Sequence, residues 1–162
     1  MNAKENLKEN DGLLQLVSFH IADEEFGVDI LKVQEIIRPI QITQMPNSPD
    51  YVEGVINLRG RIVPIVDLRM RLGLEKKKAD NNTRIIVVEL NDKTTGFMVD
   101  SVSEVLRISR NITEPPPKLI AGINSEYITA VGKLEDRLLI LLDMEKILST
   151  KQEEELRTLV HS

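Results

Sequence analysis

Cysteine and tryptophan are absent from this 162-residue chain, and three phenylalanines and two tyrosines are its only aromatic residues. Without cysteine there is no disulfide, no thiolate zinc site and no cysteine nucleophile. His20 and His161 are the only histidines, and neither has the neighbours that a metal or catalytic constellation needs. So few aromatics exclude a base-stacking platform. No basic stripe is present either: 21 Lys and Arg stand against 26 Asp and Glu for a net charge of −5, and Lys76-Lys77-Lys78 is the one basic cluster, in a polar stretch that reads as a solvated loop. Nucleic acid is therefore not an expected partner. No apolar run approaches the roughly 20 residues that span a bilayer. The polar opening MNAKENLKENDG does not read as a signal peptide, so the expected location is cytoplasmic, without direct membrane insertion. Walker A, G-x-G-x-x-G and G-x-S-x-G sequences are missing too. The chain reads as a non-enzyme with no catalytic residue, no metal site and no cofactor.

What the chain does have is isoleucine and valine, 32 residues together, and a repeat. Tyr51–Leu72 aligns without a gap over 22 positions on Tyr127–Leu148. Tyr51/Tyr127, Val55/Val131, Leu58/Leu134, Arg61/Arg137, Asp67/Asp143 and Leu72/Leu148 are identical. Upstream, Gly27–Arg38 matches Gly96–Arg107 with Gly, Val, Glu and Arg in register. The offset is 69 at Glu35/Glu104 and 76 at Tyr51/Tyr127, so an insertion separates the two blocks of the second copy. A single module of roughly 60–70 residues would bury only about 60% of its unfolded surface. The two copies are therefore expected to share apolar surface rather than swing freely. A duplicated unit without a catalytic group suggests a scaffold held at two places.

Residues 1–12 are polar and read as a disordered tail. Leu14–Ile21 and Phe26–Asp29 read as strands, Ile30–Val33 as a helical turn, and Glu35–Thr43 as extended chain. Pro46-Asn47-Ser48-Pro49 is a loop. Glu53–Leu58 and Arg61–Val66 form a hairpin, with Gly60 supplying the positive φ of a two-residue turn at Arg59-Gly60. Asp67 then caps a short helix that ends at Gly73. The second copy repeats this with a turn at Glu135-Asp136, a strand Arg137–Leu142 and the cap Asp143. Thr83–Leu90 and Thr94–Val99 make a further hairpin around Asn91-Asp92-Lys93. Thr150-x-x-Glu153 is a capping box that opens a last helix over 149–162, with Leu156, Leu159 and Val160 on one face. Many short strands and few helices predict a mainly β chain of small barrels or a sandwich, and the duplication favours two linked barrels.

EGVINLRGRIVPIVDL at 53–68, FGVDILKVQEI at 26–36 and EYITAVGKLEDRLLILLDMEKIL at 126–148 together resemble the CheW-like family, from about Leu16 to Leu148. CheW couples bacterial chemoreceptors to the histidine kinase CheA. The resemblance implies two intertwined SH3-like five-stranded barrels over 13–148 that share a core, and a non-enzymatic adaptor. It implies a groove for the cytoplasmic tips of methyl-accepting chemoreceptors, formed by Ile30, Val33, Glu35, Gly54, Asn57, Arg59, Gly60, Gly96 and Val99. It also implies a surface for the regulatory domain of a CheA-type kinase, here at Glu114, Pro115, Pro117, Lys118 and Leu119, with Thr43–Asp50 a second, weaker surface. Recruitment to membrane-associated receptor arrays follows, and a monomer is expected in the absence of partners.

Arg59 stands out because the second copy has Glu135 at its position, so turn chemistry does not demand it, and a planar guanidinium suits an interface. Gly54 and Gly60 serve backbone geometry as readily as close approach. Ile30, Val33 and Val99 belong equally well in a core, and Leu119 can point outward or tuck into a barrel. Glu35 shares its repeat position with Glu104, which points to a common structural role. Asp67 and Asp143 read as helix caps and not as a catalytic pair. Two other functions fit the same residues: an adaptor of a non-flagellar pilus or motility pathway, and a free-standing β-barrel sensor of a peptide or small ligand.

Overall fold

The two copies of the repeat exchange strands. In the computed structural model, which describes residues 12–120 and 123–148, strands β1 (Leu13–Ile21) and β2 (Glu24–Asp29) are followed by a 3-10 turn at Ile30–Lys32. Next come β3 (Val33–Ile37), β4 (Val52–Leu58), β5 (Arg61–Asp67) and helix α1 (Leu68–Arg71). The second copy supplies β6 (Arg84–Leu90), β7 (Lys93–Val99), β8 (Ser101–Ser109), the short β9 (Thr113–Glu114), β10 (Leu119–Ile120) and β11 (Ile123–Asn124). It ends with β12 (Ile128–Lys133), β13 (Leu138–Leu142) and helix α2 (Met144–Ile147). One five-stranded sheet has the order β3-β6-β7-β5-β4, and the six-stranded one has the order β8-β1-β2-β13-β12-β9. Position by position these are the same sheet. Each draws two consecutive strands from one copy and the remaining strands from the other, so the two barrels are intertwined. We call the β1-containing one barrel A and the other barrel B.

The register confirms the equivalence. Leu141 of β13 lies beside Gly27 of β2 in parallel, and Ile65 of β5 lies beside Gly96 of β7 in the same way. Thr43 bridges Val55 as Glu114 of β9 pairs with Val131, although the loops that deliver them differ in length. Asp67 and Asp143 both cap a four-residue helix, each accepting two amide hydrogen bonds, and each donates its own N–H to Tyr51 or Tyr127 at 2.7 and 2.9 Å.

Three apolar clusters follow from this weave. Ile56, Leu58, Val63, Ile65, Ile85 and Val87 fill barrel B, and Leu16, Ile108, Leu139 and Leu141 fill barrel A. The largest lies between them and takes Phe19, Phe26, Ile86, Phe97, Leu68 and Ile147 from both copies. Phe19 and Phe26 stack there with ring centroids 5.7 Å apart. At the junction of the copies the Arg71 guanidinium sits 5.3 Å from the Tyr51 ring centroid and 4.9 Å from that of Tyr127, and donates to the Tyr127 hydroxyl at 3.0 Å. Its repeat counterpart, Ile147, is fully buried, so the two copies differ at this position of the junction.

The hairpin turns form at Arg59-Gly60 (φ 51° and 87°) and at Asn91-Asp92 (φ 51° and 64°), so Lys93 belongs to β7 and not to the turn. Val33 opens β3 instead of closing the helical turn, and Arg137 stands just before β13, where its carbonyl accepts the Leu134 amide at 2.9 Å and its guanidinium reaches the Glu25 carboxylate at 2.5 Å. The tail expected over 1–12 meets the fold at Gly12, whose carbonyl accepts the Arg110 amide at 2.9 Å. Residues 1–11 and the helix expected over 149–162 lie outside the described residues.

The two parallel-paired glycines carry unequal loads. A Cβ on Gly96 would stand 2.6 Å from Ile65 Cδ1 and 2.8 Å from Ile85 Cγ2, whereas one on Gly27 would stand 3.2 Å from Leu141 Cδ2. Gly96→Ala is expected to cost about 1–3 kcal/mol through overpacking, and Gly27→Ala clearly less. Urea unfolding of both variants checks this; equal losses, or none at Gly96, would contradict the packing.

Candidate functional site

Strand exchange requires the chain to cross between barrels twice, and each crossing is pinned by an ion pair from the helix that follows β5 or β13. At the second crossing Arg69 of α1 grips Asp100 with two bonds, Nε to Oδ1 at 2.8 Å and Nη2 to Oδ2 at 2.6 Å. Asp100 Oδ2 also accepts the Ala22 amide at 2.8 Å, which ties the β1–β2 turn to the same point. Burial pushes the Asp100 carboxyl up, but Arg69 and the Ala22 amide outweigh it and hold the group below the usual carboxylate range. At the first crossing Lys32 Nζ meets Glu145 of α2 at 2.5 Å. That hydrogen bond outweighs the opposing effect of burial and raises the lysine, with Glu145, Asp29 and Asp143 adding their fields.

A groove of about 680 Å3 opens at this first crossing. Leu13, Leu14 and Leu16 of β1, Ile30, Leu31 and Lys32 of the 3-10 turn, Ala130 of β12 and Asp143, Met144 and Glu145 line it. Leu90 is barrel B's contribution, so the groove belongs mostly to barrel A. The turn exists because the Asp29 carboxylate accepts the Leu31 amide at 2.9 Å, an N-cap that turns β2 out of its sheet. That geometry leaves Leu31 89% exposed. A leucine so placed is a candidate contact for an apolar partner.

The residues expected to form one receptor surface fall into three groups. Ile30 alone lines the groove, while Val33 packs half-buried against the shared core. Glu35, Asn57, Arg59 and Gly60 gather at the tip of the β4–β5 hairpin of barrel B. There the Arg59 guanidinium donates to the Glu35 carboxylate and the Gly60 amide donates to Asn57 Oδ1 at 2.8 Å. Arg59 is 69% exposed at its side chain, and a Cβ on Gly60 would meet nothing within 4 Å. This patch starts three residues beyond Lys32 along β3, about 10 Å at the strand rise of roughly 3.3 Å per residue. Gly54, Gly96 and Val99 are buried. Gly54, at φ 144°, would drive a Cβ to 2.2 Å from the Thr43 carbonyl oxygen, so its role is the close approach of two backbones. Val99 is 2% exposed in the shared core.

Glu35 and its counterpart Glu104 do share a role: each faces an arginine of its own barrel's hairpin, Arg59 in barrel B and Arg137, at 3.9 Å, in barrel A. The arginines come from different repeat positions, since Arg137 corresponds to Arg61. Arg61 instead donates to Thr94 Oγ1 at 2.5 Å.

The surface expected for a kinase begins at the free edge of barrel A. Glu114 of β9 pairs with Val131 and meets Lys133 at 2.8 Å, both side chains more than half exposed. Pro115, Pro117 and Lys118 are exposed, and the Lys118 carbonyl accepts the Ser125 amide at 3.1 Å. Leu119 opens β10; its side chain lies outside the described residues.

Sequence reasoning missed Leu31, Lys32 and Glu145. The repeat held the signal, since Leu31 occupies the position of Asp100 and Glu145 that of Arg69. A position that alternates between an aspartate clamp and a leucine is one where the two copies have diverged in use.

For Asp100 the sign of the pH effect follows from its lowered carboxyl. Its contribution to stability is present above the ordinary carboxylate value of about 4 and is lost as pH falls through the lower folded value. The stability gap between the natural chain and Asp100→Asn is therefore expected at pH 7 and should shrink in urea titrations below about pH 4. A gap that persists at pH 2 would contradict the clamp.

A family model described as a CheW-like domain matches residues 15–152. The chain is 42% identical over 138 residues to the chemotaxis protein CheW of Klebsiella aerogenes, covering 85% of this chain and 83% of that protein. It is 39% identical over 141 residues to the chemotaxis protein CheW of Helicobacter pylori, covering 87% and 85%. Among solved structures it resembles the scaffolding protein TtCheW from Thermoanaerobacter tengcongensis, with a TM-score of 0.78 and 34% identity over 86% of this chain and 90% of that one. The matched span takes in both exchanged barrels, and the chain belongs to the CheW-like domain family.

Proposed function

We propose that this protein is a chemotaxis adaptor that couples methyl-accepting chemoreceptors to a CheA-type histidine kinase, acting through geometry and without a catalytic step. The observation that carries this reading is the open groove at the first crossing with the exposed Leu31 on its wall, set beside the Arg59–Glu35 patch on a chain of this family. The receptor's helical tip would lie along β3, with apolar side chains on Leu31 and Ile30 and polar groups on Arg59, Asn57 and Gly60. Kinase regulatory domains would dock at Glu114, Pro115, Pro117, Lys118 and Leu119, on the β9 edge of barrel A. Because both barrels contain strands of both copies, a displacement imposed at one surface is carried to the other through one continuous core. Among the described residues no helix is long and apolar enough to cross a membrane. The adaptor would reach receptor arrays through its partners and be monomeric without them.

Arg59→Ala is expected to weaken receptor binding about 5- to 150-fold while moving the melting temperature by less than about 2 °C. Leu119→Asp is expected to spare the receptor and release the kinase domain. Co-sedimentation with a soluble receptor fragment and with a CheA regulatory domain reads both variants. Unchanged receptor affinity in the first, or loss of both partners in either, would sink the assignment of two separate surfaces.

A further inference from the structure

The two crossings occupy equivalent places in the fold and are fastened unequally. At the second, the Arg69–Asp100 side chains are 16% and 13% exposed, the contact is two-pronged, and a backbone amide shares the carboxylate. At the first, charges are reversed: an acid on the helix, Glu145, meets a base on the crossing, Lys32. Here the side chains are 41% and 47% exposed and one bond joins them. Both residues line the groove, together with the exposed Leu31.

Resting on the receptor reading above, we propose that the Lys32–Glu145 pair is a latch across the groove. It holds the 3-10 turn against α2 in the free protein and opens when a receptor tip seats on Leu31. An apolar group placed there either parts the pair or strips it of water, and an ion pair desolvated without new partners loses more than it gains. An exposed pair of this kind is worth only about two- to fivefold in an equilibrium, small enough for a seated partner to overcome. The Arg69–Asp100 clamp, half-buried and shared with the Ala22 amide, stays closed and holds the barrels in place while the first crossing adjusts.

The test uses the full chain, a soluble chemoreceptor fragment carrying the cytoplasmic hairpin tip, and three variants: Lys32→Gln, Glu145→Gln, and the exchanged pair Lys32→Glu with Glu145→Lys. A latch predicts that each single variant binds the fragment about two- to fivefold more tightly and that the exchanged pair returns part of the way to the natural affinity, since Asp29 and Asp143 favour a base at position 32. Weaker binding with a lowered melting temperature would make the pair a structural brace, and weaker binding at unchanged melting temperature would make it a direct receptor contact. Either result overturns the latch. Hydrogen exchange of the Leu31 amide in the free chain reads the latch without any partner, with exchange about two- to fivefold faster in Glu145→Gln than in the natural protein. Unchanged exchange overturns the latch even if the receptor binds. Failure of the natural protein to bind the fragment, with exchange still accelerated, overturns the receptor reading alone.

Discussion

Everything in this molecule depends on the chain leaving one barrel after β2, completing the other, and returning at β8. Neither copy of the repeat can close a barrel by itself, because the two strands that would complete its sheet have gone to its neighbour. The interior between the barrels is therefore built by residues far apart in sequence, such as Phe19 and Phe26 with Phe97 and Ile147. Swapped strands tie the copies through two long antiparallel ladders, β1 with β8 and β3 with β6, which cannot separate without unpairing. For an adaptor this is a useful constraint. Surfaces on different barrels keep a fixed relation, and motion is confined to what the crossings permit.

The symmetry sets off the places where it is broken. Glycines at 27 and 96, aspartate caps at 67 and 143, and the Tyr51 and Tyr127 carbonyls recur because each copy faces the same backbone problem. Arg71 against Ile147, Arg59 against Glu135 and Asp100 against Leu31 do not recur. Those unmatched positions lie at the junction of the copies, at a hairpin tip and at the groove, the last two being the surfaces proposed for partners. Duplication supplied the scaffold and divergence supplied the surfaces.

Much of this was legible in the chain. The duplicated hairpins, both Asp caps and the Arg59-Gly60 turn follow from local rules, and local rules suffice for elements held by neighbours in sequence. The strand exchange was not a local property. Matching Gly27–Arg38 to Gly96–Arg107 showed that the copies are equivalent, yet only long-range pairing shows which barrel each strand joins. The candidate site was read less completely. Nine positions were assigned to one receptor groove, but Gly54, Gly96 and Val99 turn inward because glycine without a Cβ lets backbones close up and a valine next to a crossing packs into the shared core. Leu31 carries no local mark of exposure in GVDILKV, and its exposure comes from the Asp29 cap that rotates the turn outward.

The account's central claim is that one chain holds a receptor and a kinase at once. Its most direct test is sedimentation velocity of the protein mixed with a receptor hairpin fragment and a CheA regulatory domain, each tagged with a different chromophore. The account predicts a boundary in which all three co-migrate, faster than any pair. Mutual displacement, with either partner driving the other off the chain, would contradict it.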